Sequence, residues 1–285
     1  MPSILTSAQR DEFERDGYVI VRGLFDGEEI ALLREAIERD PAIRSHFYDR
    51  FDAAGKSTRM ALWNHPGDGV YGLAARSARI VDTMTGLLGG EVYHYHSKLT
   101  AKEPREGGAW EWHQDYGYWY NNGNLFPLMA SVQIALDRCE RANGCLQVIP
   151  GSHRMGRIDH GLMEGEQVGV DPERMKVILE RFPVAYAEME PGDGIFFHCN
   201  LLHRSDPNLS DSRRWTLICC YNAARNDPYR AHHHPGYTRL DIVPDAAIRE
   251  AGVRFTADAS SFLAKSARPP DLKAKIVDDK LASPG

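Results

Sequence analysis

The densest run of chemically capable side chains is Trp110-Glu111-Trp112-His113-Gln114-Asp115-Tyr116-Gly117-Tyr118-Trp119-Tyr120. His113 and Asp115 stand two apart, and on a β-strand residues i and i+2 share a face. An imidazole and a carboxylate would then converge on one point. Far downstream, Gly194-Ile195-Phe196-Phe197-His198-Cys199-Asn200-Leu201-Leu202-His203 offers a further imidazole from a second strand, with His198 and His203 as competitors. Two His and one carboxylate form a facial set that holds Fe(II) and leaves the opposite positions open to ligands. An HxD tripeptide alone is a weak signal. The conjunction is stronger, because Arg214 follows His203 by eleven residues and an Arg fork can hold the distal end of a dicarboxylate. Spacing to Arg214, together with Ser205, favours His203 and leaves His198 as a buried, hydrogen-bonded neighbour.

Around this set lie candidate substrate residues. His94, His96 and Lys98 alternate on the strand before His113 and would share a face, so Lys98 is a candidate positive charge beside the metal. A buried Lys needs an anionic partner. Lys102 continues that face near a loop. Tyr116, Tyr118 and Trp119 follow the HxD directly and read as a substrate wall, with cation–π recognition of an amine as one use and packing as the other. On an uninterrupted strand Trp119 would share the face of His113, whereas a bulge at Gly117 would bring in the tyrosines. Asn121-Asn122-Gly123-Asn124 reads as a flexible lid loop. Gln133 and Gln147 are core amides able to bond a ligand, His153 and His160 read as rim residues, and His232-His233-His234 as a polar loop near the entrance.

These residues need rigid elements behind them. Thr6 with Gln9 and Asp26 with Glu29 have capping-box spacing, predicting helices over about 7–16 and 27–39 with the strand Tyr18-Val19-Ile20-Val21 between. A further helix is expected from Ala74 to Leu88, closed by Gly89-Gly90. From Glu91 onward the pattern is of short strands: Val92–Thr100, Ala130–Leu136, Cys145–Ile149, Ala185–Met189, Gly194–His198 and Trp215–Tyr221, with turns at Asn143-Gly144, Pro150-Gly151 and Pro191-Gly192-Asp193-Gly194. Such a series suggests a sandwich or barrel. Asp171 and Pro172 start a helical insertion to Arg181. The expectation is one domain of mainly β (α+β) class: a helical part about 1–90, a β core about 91–225 and a C-terminal extension about 226–285, with a loosely held tail after Ala264.

Composition excludes several classes. The 285 residues are 42% hydrophobic and 26% charged, with net charge −6, so neither a nucleic-acid nor a membrane partner is expected. No apolar run is long enough for a transmembrane helix, and the N-terminus lacks a signal-peptide core. Five cysteines without a CxxC pair read as free thiols in a reducing, cytoplasmic setting.

The segment from Tyr93 to Tyr221 resembles the phytanoyl-CoA dioxygenase family of Fe(II)/2-oxoglutarate oxygenases. The matching pieces are His113-Gln114-Asp115, Asn143-Gly144-Cys145-Leu146-Gln147-Val148-Ile149-Pro150-Gly151-Ser152-His153, Pro191-Gly192-Asp193-Gly194, His203-Arg204-Ser205 with Asn208, and Arg214, together with the opening strand after Gly17. In order they cover roughly residues 7 to 222. The resemblance implies a double-stranded β-helix (jelly-roll, cupin-like) core. It implies Fe(II) held by His113, Asp115 and His203, and 2-oxoglutarate gripped by Arg214 with help from Ser205. It also implies O₂ as co-substrate, with 2-oxoglutarate converted to succinate and CO₂ as a substrate carbon is hydroxylated. Related halogenases lack the carboxylate ligand, so Asp115 indicates hydroxylation. A coenzyme A thioester fits poorly with the net charge, and the expected substrate is a small polar metabolite such as an aminophosphonate or amino-acid-like zwitterion. Lys98 would take its anionic end and the aromatics its cationic end. The competing readings are a cupin-type metalloenzyme that does not use 2-oxoglutarate and a catalytically silent jelly-roll binding protein.

Overall fold

The computed structural model describes residues 4–264. The tail after Ala264, expected to be loosely held, lies outside the described residues. Helices α1 (Ser7–Asp16) and α2 (Gly27–Arg39) flank strand β1 (Tyr18–Val21). Both capping boxes form: Thr6 Oγ1 accepts from the Gln9 N–H at 3.2 Å, and Asp26 accepts from the Glu29 N–H at 3.0 Å. Gly17 ends α1 at φ 81°, where a side chain would also strike the His153 ring.

Residues 40–68, with no clear period in sequence, hold α3 (Pro41–Ser45), β2 (Tyr48–Phe51) and β3 (Ser57–Trp63). The helix expected over 74–88 is two: α4 (Val70–Arg76) and α5 (Ala78–Leu88). Ser77 breaks them with extended backbone (ψ 142°), its hydroxyl donating to the Ala74 carbonyl at 2.8 Å. Such a local side-chain bond competes with the helix ladder.

The β region follows: β4 (Val92–Lys102), β5 (Trp110–His113), a one-turn helix α6 (Tyr116–Trp119), β6 (Met129–Ala135), β7 (Leu146–Val148), β8 (His160–Leu162), β9 (Val168–Val170), α7 (Pro172–Arg181), β10 (Ala185–Ala187), β11 (Gly194–His198), β12 (His203–Ser205) and β13 (Arg214–Ala223). Helix α8 (Ala247–Ala251) and β14 (Phe262–Leu263) close the description. The main sheet runs β1-β11-β6-β13-β4-β3-β14, with β2 on β3, and the smaller one runs β10-β7-β12-β5. All named pairings are antiparallel, which gives the expected jelly roll.

Alternation sorts the main sheet into two faces. Val132 and Ile134 of β6, Leu217, Cys219 and Tyr221 of β13, and Leu99 of β4 join the helices through Leu33, Ile37, Ala74, Ile80 and Met84 in one apolar core. The opposite residues, Ser131 and Gln133, Arg214 to Cys220 at even positions, and His96 to Lys102 at even positions, face the smaller sheet. All five cysteines are buried and free, as expected. Among the described residues no helix is long and apolar enough to cross a membrane.

Candidate active site

Strand β5 ends at His113, so the reason given for the HxD geometry needs correction. Asp115 has helical backbone (φ −57°, ψ −40°) at the head of α6 rather than lying on a strand. The turn is fixed by the residue between them. The Gln114 amide donates to the carbonyls of Gly156 (2.8 Å) and Asn200 (2.7 Å), and its oxygen accepts from the Ile158 N–H. Its backbone N–H donates to His160 Nε2 at 2.8 Å. Gly117 is no bulge; it lies in α6 against His160, where a Cβ would stand 2.2 Å from the ring.

β12 pairs with β5 so that His203 lies opposite His113. Ligand atoms of His113, Asp115 and His203 come within 4.8 Å of one another, all three residues buried. The Nε2 atoms of the two imidazoles stand 3.9 and 4.0 Å from Asp115 Oδ1, too far for hydrogen bonds. Neighbouring donors of a facial set, each about 2.1 Å from one ion, lie about 3 Å apart, so these atoms converge on a shared metal position, about 1 Å wider than a loaded site. The tautomers suit it as well. Nδ1 of His113 meets the Glu111 carbonyl at 2.7 Å and Nδ1 of His203 meets the Leu201 carbonyl at 2.9 Å. A carbonyl only accepts, so each Nδ1 carries the proton and each Nε2 is a free lone pair. Burial pushes both imidazoles below their ordinary pKa, with mutual repulsion adding for His113 and Asp115 opposing for His203. Ser131 on β6 donates to Asp115 Oδ2 at 3.3 Å. His198 points elsewhere: its Nδ1 accepts from the Asn200 N–H, and its ring packs on His153.

Arg214 starts β13 on the inner face, directly across from Lys102. It is only 3% exposed. Its Nε has no partner, and no acceptor among the described residues receives its guanidinium. Beside it, Lys102 Nζ donates to Ser205 Oγ at 2.8 Å and to carbonyls of residues 205 and 206. Burial and the neighbouring Arg214 hold the Lys102 pKa well below that of an ordinary lysine. The buried lysine is therefore Lys102, not Lys98. An inner cleft lined by Arg214, Lys102, Ser205, Thr100, Gln133 and His203 joins these groups to the His113 side. Gln133 reaches it with an unpartnered Nε2. Gln147 does not, being bonded to Asp206.

An outer cavity of about 270 Å³ lies against Asp115. His96, Lys98, Tyr118 and Trp119 line it, and so do Trp110 and His232-His233-His234. Tyr118 stacks on His113 with centroids 5.8 Å apart. Three expectations are corrected here. Tyr116 is packed behind the cavity, its hydroxyl donating to the Asn124 carbonyl at 2.9 Å. His94 does not share the face of His96: β4 slips register between these residues, skipping Tyr95 in the pairing with β13. His94 bonds the Asn64 carbonyl and Ser97, and burial lowers its pKa to about 3. The Asn121–Asn124 run is a buried clamp rather than a flexible lid, since Asn122 and Asn124 donate to Tyr95 Oη and Asn222 donates to Asn124.

Sequence reasoning missed Ser131 and Asn64, and it read as a rim residue His160, which is buried and accepts from the Gln114 N–H. Ser131 and Gln133 alternate with apolar residues, a hint that they face inward. Nothing local marks Asn64, which holds the histidine segment by donating to the His233 carbonyl at 2.6 Å and bonding His234 Nδ1 at 2.8 Å.

The sequence profile of the family described as phytanoyl-CoA dioxygenase matches residues 13–216. The ectoine dioxygenase of Sphingopyxis alaskensis is 30% identical over 237 residues, 78% of this chain and 77% of its own length. The L-proline trans-4-hydroxylase of Streptomyces griseoviridis is 29% identical over 248 residues, covering 81% and 92%. A crystal structure of EctD from S. alaskensis with 2-oxoglutarate and 5-hydroxyectoine superposes with TM-score 0.69 and 27% identity, covering 87% of this chain and 88% of that one.

Proposed function

The chain belongs to the phytanoyl-CoA dioxygenase family and is an Fe(II)/2-oxoglutarate-dependent dioxygenase that hydroxylates a small metabolite; on that premise we propose that its substrate is a small amino-acid-like zwitterion, held in the outer cavity while 2-oxoglutarate occupies the inner cleft. The observation that carries this reading is the buried, unpaired guanidinium of Arg214. A charge removed from water without a counter-ion is costly, and a carboxylate delivered to the inner cleft relieves that cost with a bidentate bond.

In this reading His113, Asp115 and His203 hold Fe(II), and Arg214 takes the distal carboxylate of 2-oxoglutarate with Ser205 beside it. Bound iron with 2-oxoglutarate supplies oxidation of a C–H bond to an alcohol by O₂, with succinate and CO₂ released. The chain's own groups position and shield. The pinned Nδ1–H groups aim both Nε2 atoms inward. Ser131 orients Asp115. The Thr100 hydroxyl, 2.7 Å from that of Thr216, offers a polar contact along the cleft, and Gln133 offers a free N–H. Trp110, Tyr118 and Trp119 give the outer cavity an aromatic wall. Its volume of about 270 Å³ is below the usual range for drug-sized ligands, which suits a compact metabolite. The ectoine and L-proline that name two of the relatives are small cyclic zwitterions, and they take the place of the aminophosphonate as the first compounds to try.

The test is anaerobic titration of the apoprotein with Fe(II) and 2-oxoglutarate, followed by succinate release with L-proline and ectoine. The expected result is a visible charge-transfer band that is lost in His113→Ala, and substrate-stimulated succinate from at least one zwitterion. A well-folded protein with no band would overturn the assignment of these residues.

A further inference from the structure

The outer cavity has one wall of a different chemistry from the rest. His96 and Lys98 of β4 stand there beside His232, His233 and His234. The His96 ring lies flat against His234, centroids 4.5 Å apart and planes 20° off parallel, with Tyr95 and the edge of Trp119 completing its surroundings. It is 3% exposed, and its Nδ1 has no partner. His234 is fixed from behind, since its Nδ1 meets Asn64 Oδ1, an oxygen left as acceptor because the Asn64 amide nitrogen donates to the His233 carbonyl. The acidic groups lining the cavity are Asp115, in the metal triad, and Glu166, whose carboxylate accepts from the Phe51 N–H. Neither is bonded to His96. Buried polar nitrogens normally find a partner, and a wall of imidazoles with a lysine, in which His96 bonds neither acid, is suited to an anion.

Resting on the zwitterion reading above, we propose that His96, backed by His234 and Lys98, is the specificity-determining residue that hydrogen-bonds the anionic oxygen group of the substrate. The substrate's oxidised carbon then lies toward Asp115, and its anionic end toward the C-terminal histidine segment. The shared chemistry is an oxyanion, either carboxylate or phosphonate. Compounds of the same shape without that charge are refused.

The test is anaerobic calorimetric titration of the Fe(II)- and 2-oxoglutarate-loaded protein with L-proline, L-prolinamide and 2-aminoethylphosphonate. The wild type is expected to bind one of the two oxyanion compounds at least about tenfold more tightly than the amide, the range for one charge-assisted hydrogen bond. His96→Phe keeps the ring stack but removes the nitrogens, and its preference should fall to about twofold or less; His96→Gln should recover part of it. A thermal melt checks folding, and if His96→Phe fails to fold, His234→Phe replaces it with the same expected loss. Binding of the amide as tightly as the oxyanions, binding of none of the three, or a preference unchanged in the variants overturns the proposal. A wild-type protein without the charge-transfer band fails the underlying reading instead, so the two failures are told apart.

Discussion

Replacing Arg214 by methionine should move two observables in opposite directions. The guanidinium is buried, lacks an acceptor, and has its pKa lowered by burial. Methionine is of similar length and carries no charge. Exchanging a buried ionic group for a packed apolar one is often stabilising by about 1–4 kcal/mol. Each kcal/mol shifts the melting point by about 2–4 °C for domains of 150–250 residues, so the ligand-free variant should melt several degrees higher. Binding of 2-oxoglutarate should collapse. Hydrogen bonds to charged groups contribute about 1.5–3 kcal/mol each, and losing a two-bond fork costs about 3–6 kcal/mol, more than a hundredfold in affinity. Scanning calorimetry with and without 2-oxoglutarate reads both effects, and titration calorimetry gives the affinity. Arg214→Lys should fall between, since an ammonium keeps the charge but not the fork. A variant that melts lower when ligand-free and binds 2-oxoglutarate within threefold of wild type would refute the reasoning, because Arg214 would then be a structural residue.

Other consequences follow from the same contacts. Ser131→Ala removes the hydroxyl that donates to Asp115 and should weaken Fe(II) binding by about tenfold, the lower end for partners of metal ligands, as read by anaerobic metal titration. Gly117→Ala drives a Cβ into the His160 ring; denaturant unfolding should show a loss of about 1–3 kcal/mol, and the displaced turn should weaken the charge-transfer band. Asn64→Ala cuts both ties to the histidine segment, so hydrogen exchange at residues 232–234 should quicken and stability fall by about 1–3 kcal/mol for two lost bonds.

The residue types of the site were legible before the fold, and the geometry only partly. His113, Asp115, His203 and Arg214 declare themselves by chemistry and order along the chain. Only a continuous strand would place the first two on one face by period two. In fact Gln114, to which the sequence reading gave no role of its own, turns the chain by spending its side chain on Gly156, Asn200 and Ile158. Those partners come from distant segments, so no local pattern could reveal them. The same holds for β4: alternation put His94 with His96, but one skipped residue at Tyr95 sends His94 to the helical side. Period-two reasoning fails at a bulge because everything on one side of it changes phase. Capping boxes were read correctly because their partners lie three residues apart.

The choice between Lys98 and Lys102 depends on register, and it explains how the inner cleft is built. Both lysines are on the inward face by parity. Pairing β4 with β13 sets Lys102 opposite Arg214 and Lys98 opposite Ile218. Two basic side chains on one buried rung repel each other, and Arg214 adds to burial in lowering the affinity of Lys102 for its proton. Lys102 meets part of this cost by donating to Ser205 and to two carbonyls, while Arg214 has no such acceptor. The folded protein therefore carries an electrostatic cost at the far end of the cleft that an incoming carboxylate relieves. The strands on either side of the cleft are held by their own ladders and by the helical core behind them. On the proposed roles of these residues, selectivity for a dianion would follow from the same arrangement. One carboxylate end would satisfy Arg214, and the other end of the molecule would have to reach toward the His113, Asp115 and His203 cluster, so a shorter acid would meet only one of the two demands.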